Sequence, residues 1–214
     1  MVRAAIWLAS ALLAASAAAC GSSGSSSSSS SSAQQPAASA TITSGTTTGS
    51  SVRALSAEAQ SAATGDIPDT QVFLTYRNPS AGYSISYPEG WTRKGSTSDA
   101  TFSDKNNIVH IVIAKAGAPT TAGMAAELNH LKASNSTLTF TTPKTIQVKA
   151  GPAVKSTYIT RSAPNQVTGK SVLLIVDRYE LSSHGKRATV DLGTPKGVDN
   201  VDAYRMMINS FRWL

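Results

Sequence analysis

The residues able to do chemistry are few and scattered. Cys20 is the single cysteine in 214 residues, so there is no partner for a disulfide or a cysteine-based metal site. The three histidines, His110, His130 and His184, do not fall at metal-ligand spacing. His110 shares an alternating segment with Val112 and reads as a partly buried ring with its own partner. His130 stands beside Asn129 in a helical stretch and His184 in a turn, both solvated. Gly82-Tyr83-Ser84-Ile85-Ser86 has the start of a nucleophile elbow, but the second glycine is missing and the pattern continues as a strand. Asp177 and Glu180 lie three apart on a strand, which puts them on opposite sides. Glu89, Asp99 and Asp104 would hold a cation only if loops gathered them near Trp91; solvated loop carboxylates are the simpler reading. Tyr83, Tyr87, Trp91 and Tyr179 suit either the rim of a ligand groove or plain core packing, and core packing is the simpler. No glycine-rich loop of the phosphate-binding type is present. These residues predict no catalytic centre, no metal and no cofactor, and they leave any ligand-binding residues unknown.

Cys20 is different because of what precedes it. Residues 1–19 carry one early positive charge, Arg3, then an almost unbroken apolar and small-residue run from Ala4 to Ala19. That is the layout of a secretory signal peptide, and the run is short of the ~20 strongly apolar residues a membrane span needs. Two readings share the cleavage site. Ala17-Ala18-Ala19 satisfies ordinary signal peptidase, which would release a free protein. The same residues followed by Cys20-Gly21 resemble the bacterial lipobox, with Ala17 in place of the usual leucine. The only cysteine of the chain at the one position the lipobox requires favours the second reading. The Cys20 thiol would then carry a diacylglyceryl thioether, and the new amino terminus a further acyl chain such as palmitate. Each buried CH₂ contributes ~0.8 kcal/mol, so two or more chains anchor stably.

Beyond Cys20, residues 20–69 are rich in Ser, Thr, Ala and Gly, with serine unbroken from Ser25 to Ser32. Such a stretch buries too little apolar surface to offset its ordering entropy and reads as a disordered linker; only 52–63 has the composition of a transient helix. As a flexible coil of about 50 residues it reaches ~40 Å. The net charge of the chain is +7, and residues 72–214 hold 17 Lys/Arg against 9 Asp/Glu. The basic residues are interspersed rather than blocked. That pattern suits a solvated face near anionic lipids or wall polymers; export argues against nucleic acid.

Residues 70–214 have the length and apolar content of one globular domain. Period-two segments at 72–76, 83–87, 100–103, 108–113, 139–148, 153–161, 171–181 and 186–192 predict strands, with 182–185 as a hairpin turn. Met124, Leu128 and Leu131 after Thr120 predict a helix over 121–134. A second helix is predicted over 201–210, capped by Asp199 or Asn200, with Val201, Tyr204 and Ile208 inward. Phe211 to Leu214 returns to the core, and Trp91 folds over the face of Tyr83, Ile85 and Tyr87. The class is α+β: an antiparallel sheet with helices packed on it.

The stretch FLTYRNPSAGYSISYPEGW at 73–91, the Phe102-Ser103-Asp104 that follows, and the closing Ser210-Phe211 resemble PsbP/Mog1-like domains. The resemblance covers roughly 73–214. It implies an antiparallel sheet with helices against it, and it carries over no catalytic residues, because the family has no common catalytic motif. The lipidated, Ala/Ser-rich form looks most like actinobacterial lipoproteins of the Lpq type. The expectation is a membrane-anchored lipoprotein on the extracytoplasmic face of a bacterial cell membrane, acting as a non-enzymatic binding or assembly module. Its partners would be envelope proteins or anionic wall or lipid polymers. The alternative is a carrier of a small lipid or glycan held between sheet and helix.

Overall fold

Alternation is clearest in Asn107–Lys115, where every second residue from Asn107 to Ile113 is buried. A computed structural model describes residues 65–164 and 169–214, and there this segment is strand β5. Cys20, the proposed signal peptide, most of the proposed linker and the helix expected at 52–63 lie outside the described residues. The order is β1 (Phe73–Asn78), β2 (Tyr83–Pro88), β3 (Thr92–Gly95), β4 (Asp99–Asp104), β5, helix α1 (Thr121–Ser134), β6 (Thr139–Phe140), β7 (Lys144–Val148), β8 (Gly151–Arg161), β9 (Leu173–Ser183), β10 (Lys186–Pro195), helix α2 (Val201–Ser210) and β11 (Arg212–Trp213).

The strands form two sheets, one of order β1-β2-β11 and one of order β3-β4-β5-β10-β9-β8-β6, with β7 also on β8. Every pairing is antiparallel. One face of the large sheet supplies Phe102, Val109, Ile111, Val190, Leu192 and Leu181 to a core shared with Tyr83 and Ile85 of β2, Tyr204, Met207 and Ile208 of α2, and Phe211. The opposite face holds a separate, smaller core: Met124 and Leu128 of α1 against Leu138, Val154, Tyr158, Leu174 and Val176. The result is three layers, with the large sheet in the middle.

Local chemistry accounts for the joints. Thr120 caps α1, its hydroxyl accepting from the Gly123 amide at 3.0 Å. His184 and Gly185 both take positive φ, 49° and 71°, as a two-residue type I′ hairpin requires. Gly90, at φ 90°, turns the chain so that Trp91 enters the main core, 9% exposed; a side chain at that φ would be strained.

The structure departs from the sequence expectations at five places. The segment 139–148 is two strands, because Thr141 puts its hydroxyl, in place of a backbone carbonyl, on the Thr157 amide at 3.0 Å and Pro143 has no N–H to offer. β3 is an additional strand: its TRKG is exposed throughout and has no apolar alternation to read. Val201 is 61% exposed and Met207 is buried in its place, so the inward face of α2 is Tyr204, Met207 and Ile208. Ser84 and Pro88 are buried together with Tyr83 and Ile85, because β2 is the middle strand of its sheet with α2 packed on it. The domain also starts earlier than residue 70. Ile67 is 8% exposed within the core. Its amide donates to Asn200 Oδ1 at 2.8 Å, and the Gly65 carbonyl accepts from Asn107 and Asn200. Asn200 therefore starts α2 with its backbone while its side chain, making no cap bond, holds residues 65–67.

Candidate functional site

Most of the residues singled out from sequence stand apart, and those that meet do so in pairs, His110 with Asp99 and Tyr179 with Asp177. His110 Nε2 lies 2.8 Å from Asp99 Oδ1; His130 and His184 are exposed. Ser84 is buried within β2. Glu89, Asp99 and Asp104 do not converge: among the described residues no three His, Cys, Asp or Glu side chains group as a metal site would need. The aromatics are dispersed through the core. Tyr83 stacks on Phe211 at 5.7 Å and Tyr87 meets Phe102 at 4.5 Å, and burial raises the Tyr83 phenol to about 12.

Asp177 and Glu180 do take opposite faces of β9. Asp177 accepts from Lys155 Nζ at 2.7 Å and from the Thr157 hydroxyl, with Lys155 also 5.0 Å from the Tyr179 ring centre. Burial alone would lower the Lys155 pKa; the hydrogen bond to Asp177 opposes it and the balance is upward. Glu180, on the α1 side, is fully buried.

Sequence reasoning missed what shares that side. Thr101, His110, Asp191, Arg178 and Ser156 stand directly opposite one another across β4, β5, β10, β9 and β8, and directly opposed residues lie on one face. They make a polar row from one strand to the next. At its centre Arg178 donates twice to Asp191, at 2.8 and 2.7 Å, with its guanidinium 5.4 Å from the Tyr158 ring centre. Burial works against the Arg178 charge, but Asp191 more than offsets it and the pKa is raised; burial, then Asp191, raises Tyr158. Each strand alone shows these residues only among other polar and apolar ones, with nothing to link them across strands. The row exists only once register is known.

The open surface features lie elsewhere, on the outer side of α2. A cleft of about 640 Å³ separates the helix start from residues 66–70; Asp66, Asp69, Asp199 and Asp202 line it, with Ile67, Phe73 and Met206 as its apolar part. A second, of about 470 Å³, lies toward the helix end, lined by Lys149, Arg205 and Arg212, with Asp202, Asn209 and Ser210. Met206, 53% exposed, belongs to both. The acid in the first turn suits the macrodipole, and Arg212, just past the helix end, donates to the Asn209 carbonyl at 2.7 Å. Dipole complementarity does not account for Asp66 and Asp69 from the entering chain, or Lys149 from the β7–β8 turn, each adding the same sign to the same end. The outcome is an exposed apolar centre between an acidic and a basic cleft.

No protein-family model and no curated protein sequence matches this chain. Solved structures do. The cyanobacterial PsbP protein CyanoP from Synechocystis sp. PCC 6803 aligns with a TM-score of 0.52 at 14% identity, covering 70% of this chain and 98% of that one. The Ran-binding protein Mog1p of Saccharomyces cerevisiae aligns at 0.44 and 9% identity, covering 66% and 95%. What the likeness to CyanoP establishes is the fold: antiparallel sheets with two packed helices, of the PsbP/Mog1-like kind.

Proposed function

We propose that this chain is an extracytoplasmic lipoprotein, anchored through Cys20, whose domain is a non-enzymatic binding or assembly module of the cell envelope that docks a partner on the outer face of α2. The observation carrying the reading is the juxtaposition at Met206: an exposed apolar side chain flanked by clefts of opposite charge. Protein recognition uses that combination. A desolvated apolar anchor supplies affinity, and charge of both signs around it sets orientation and rejects wrong partners. The anchor rests on the sequence around Cys20. The linker's reach of ~40 Å would let the domain search a shell above the lipid.

The test replaces Met206 with a photo-crosslinking residue in the anchored protein in intact cells, with Lys132 on the exposed side of α1 as the control position. A discrete adduct at position 206, absent at 132 and lost on Asp69→Lys or Arg212→Glu, supports docking on α2. No adduct, or equal adducts at both positions, rejects it. For the anchor, Cys20→Ser should abolish palmitate labelling and move the protein from the membrane to the soluble fraction. A wild-type protein already soluble and unlabelled would instead mean ordinary secretion.

A further inference from the structure

Glu180 is a buried carboxylate that the docking surface does not use. On β9 it faces α1, opposite Val154 of β8 and Thr189 of β10. Its Oε2 lies 3.4 Å from Nη1 of Arg187, and Nη2 of the same guanidinium lies 3.3 Å from Oε1 of Glu127 on α1. One cation therefore faces two carboxyl groups, one from the sheet and one from the helix. Arg178, the other cation near Glu180, is already bound twice by Asp191. His130 and Lys132 of α1 are exposed to solvent. Glu180 Oε1 has no hydrogen-bond donor.

If both acids are ionised, the Glu127–Arg187–Glu180 set carries a net negative charge whose inner end, the Glu180 carboxylate, is out of reach of water with one oxygen unsatisfied, while Glu127 and Arg187 remain partly exposed. Both features are costly. A proton on Glu180 cancels the surplus charge and turns its carboxyl into a donor beside the Glu127 carboxylate. Burial first, and Glu127 second, push the Glu180 acid up to about 7. Apart from this cluster, α1 rests on a small apolar contact: Met124 and Leu128, with Leu131 partly buried, against Val154, Tyr158, Leu174 and Val176.

We propose that α1 is a proton-linked flap, latched to the sheet while Glu180 carries a proton and loosened when that proton is lost. Loosening admits water to the Glu180 carboxylate, relieves its conflict with Glu127, and uncovers the apolar strip of β8 and β9. The direction is fixed by the acid: closed at lower pH, freer at higher pH.

Hydrogen exchange on the full mature chain at pH 5.5 and 8.5, corrected for the intrinsic rate, reads this directly. Protection of the amides of 121–134 should fall at least tenfold at the higher pH, while the paired amides of β5 and β10 hold theirs. In Glu180→Gln the amide supplies the donor at every pH, so α1 protection should become independent of pH. Glu127→Gln removes the second carboxylate, and with it part of what raises the Glu180 acid, so the loss of protection should shrink or disappear, and any that remains should shift to lower pH. Unchanged wild-type protection overturns the proposal, as does a Glu180→Gln protein with the wild-type pH dependence. Should Glu180→Gln fail to fold, a carbon-13 titration of the wild-type carboxyls decides: the Glu180 signal and the α1 amide shifts must move with one midpoint.

Discussion

The two faces of the eight-stranded sheet are built from the same strands and do different work. The face toward α2 and the small sheet is apolar and aromatic across β4, β5 and β10, where Trp91, Phe211 and Tyr83 close over it, and carries one partly exposed ion pair, Lys155–Asp177, on β8 and β9. The face toward α1 interleaves a smaller apolar cluster with ion pairs: Arg178–Asp191, and Arg187 between Glu127 and Glu180. Apolar packing tolerates any pH and carries most of the stability. Buried charge contributes little net stability, because desolvation offsets much of the attraction, but it makes packing depend on protonation and on complete pairing. The first face holds the fold, and the second sets how tightly α1 is held.

The largest effect should come from the apolar face. Trp91→Ala removes an aromatic from the main core and should cost ~3–5 kcal/mol in chemical denaturation. A loss under about 1 kcal/mol, ordinary for any point mutant, would mean that the burial of Trp91 contributes little to the fold.

Next comes the ionic face, where the prediction is one of non-additivity. Arg178→Met strands Asp191 in the interior and should cost ~3 kcal/mol; adding Asp191→Leu should recover most of that. If the double variant is as unstable as the single, the pair has net worth of its own and the contrast between the faces weakens.

A smaller effect is expected where the linker meets the domain. A chain beginning at residue 70 lacks Ile67 and leaves Asn200 and Asn107 short of partners, so it should be about 2–3 kcal/mol less stable than one beginning at 65. Equal denaturation midpoints would place the boundary at 70 after all.

These effects also mark what could be read from residue order. Both helices, β2, β5 and the His184 hairpin were legible, because each carries its own periodicity or turn chemistry. β3 was not, since an exposed edge strand of TRKG is held by its pairing to β4 rather than by any pattern of its own. Val201 fits the helical period of an inward face, but the period does not say where the stripe begins. Residues 65–67 look like linker, and only Asn107 and Asn200, distant in sequence, reveal them as part of the domain. The candidate site was the least legible. Its acids come from residues 66–69 and the α2 start, and its bases from the β7–β8 turn, the middle of α2 and Arg212 beyond it. Met206 in isolation is one more apolar residue in a helix.

The contrast between the faces is tested most directly by the pH dependence of global stability. Glu180 has its acid raised in the folded protein, from 4.5 to about 7. Its contribution is therefore complete below pH 4.5 and is lost as pH rises through 7. Between pH 5.5 and 8.5 denaturant unfolding should show the wild type losing about 2 kcal/mol, with the loss absent in Glu180→Gln and retained in Trp91→Phe on the apolar face. A wild type equally stable at both pH values, or a Glu180→Gln protein that loses as much, would contradict the assignment of proton sensitivity to the α1 face.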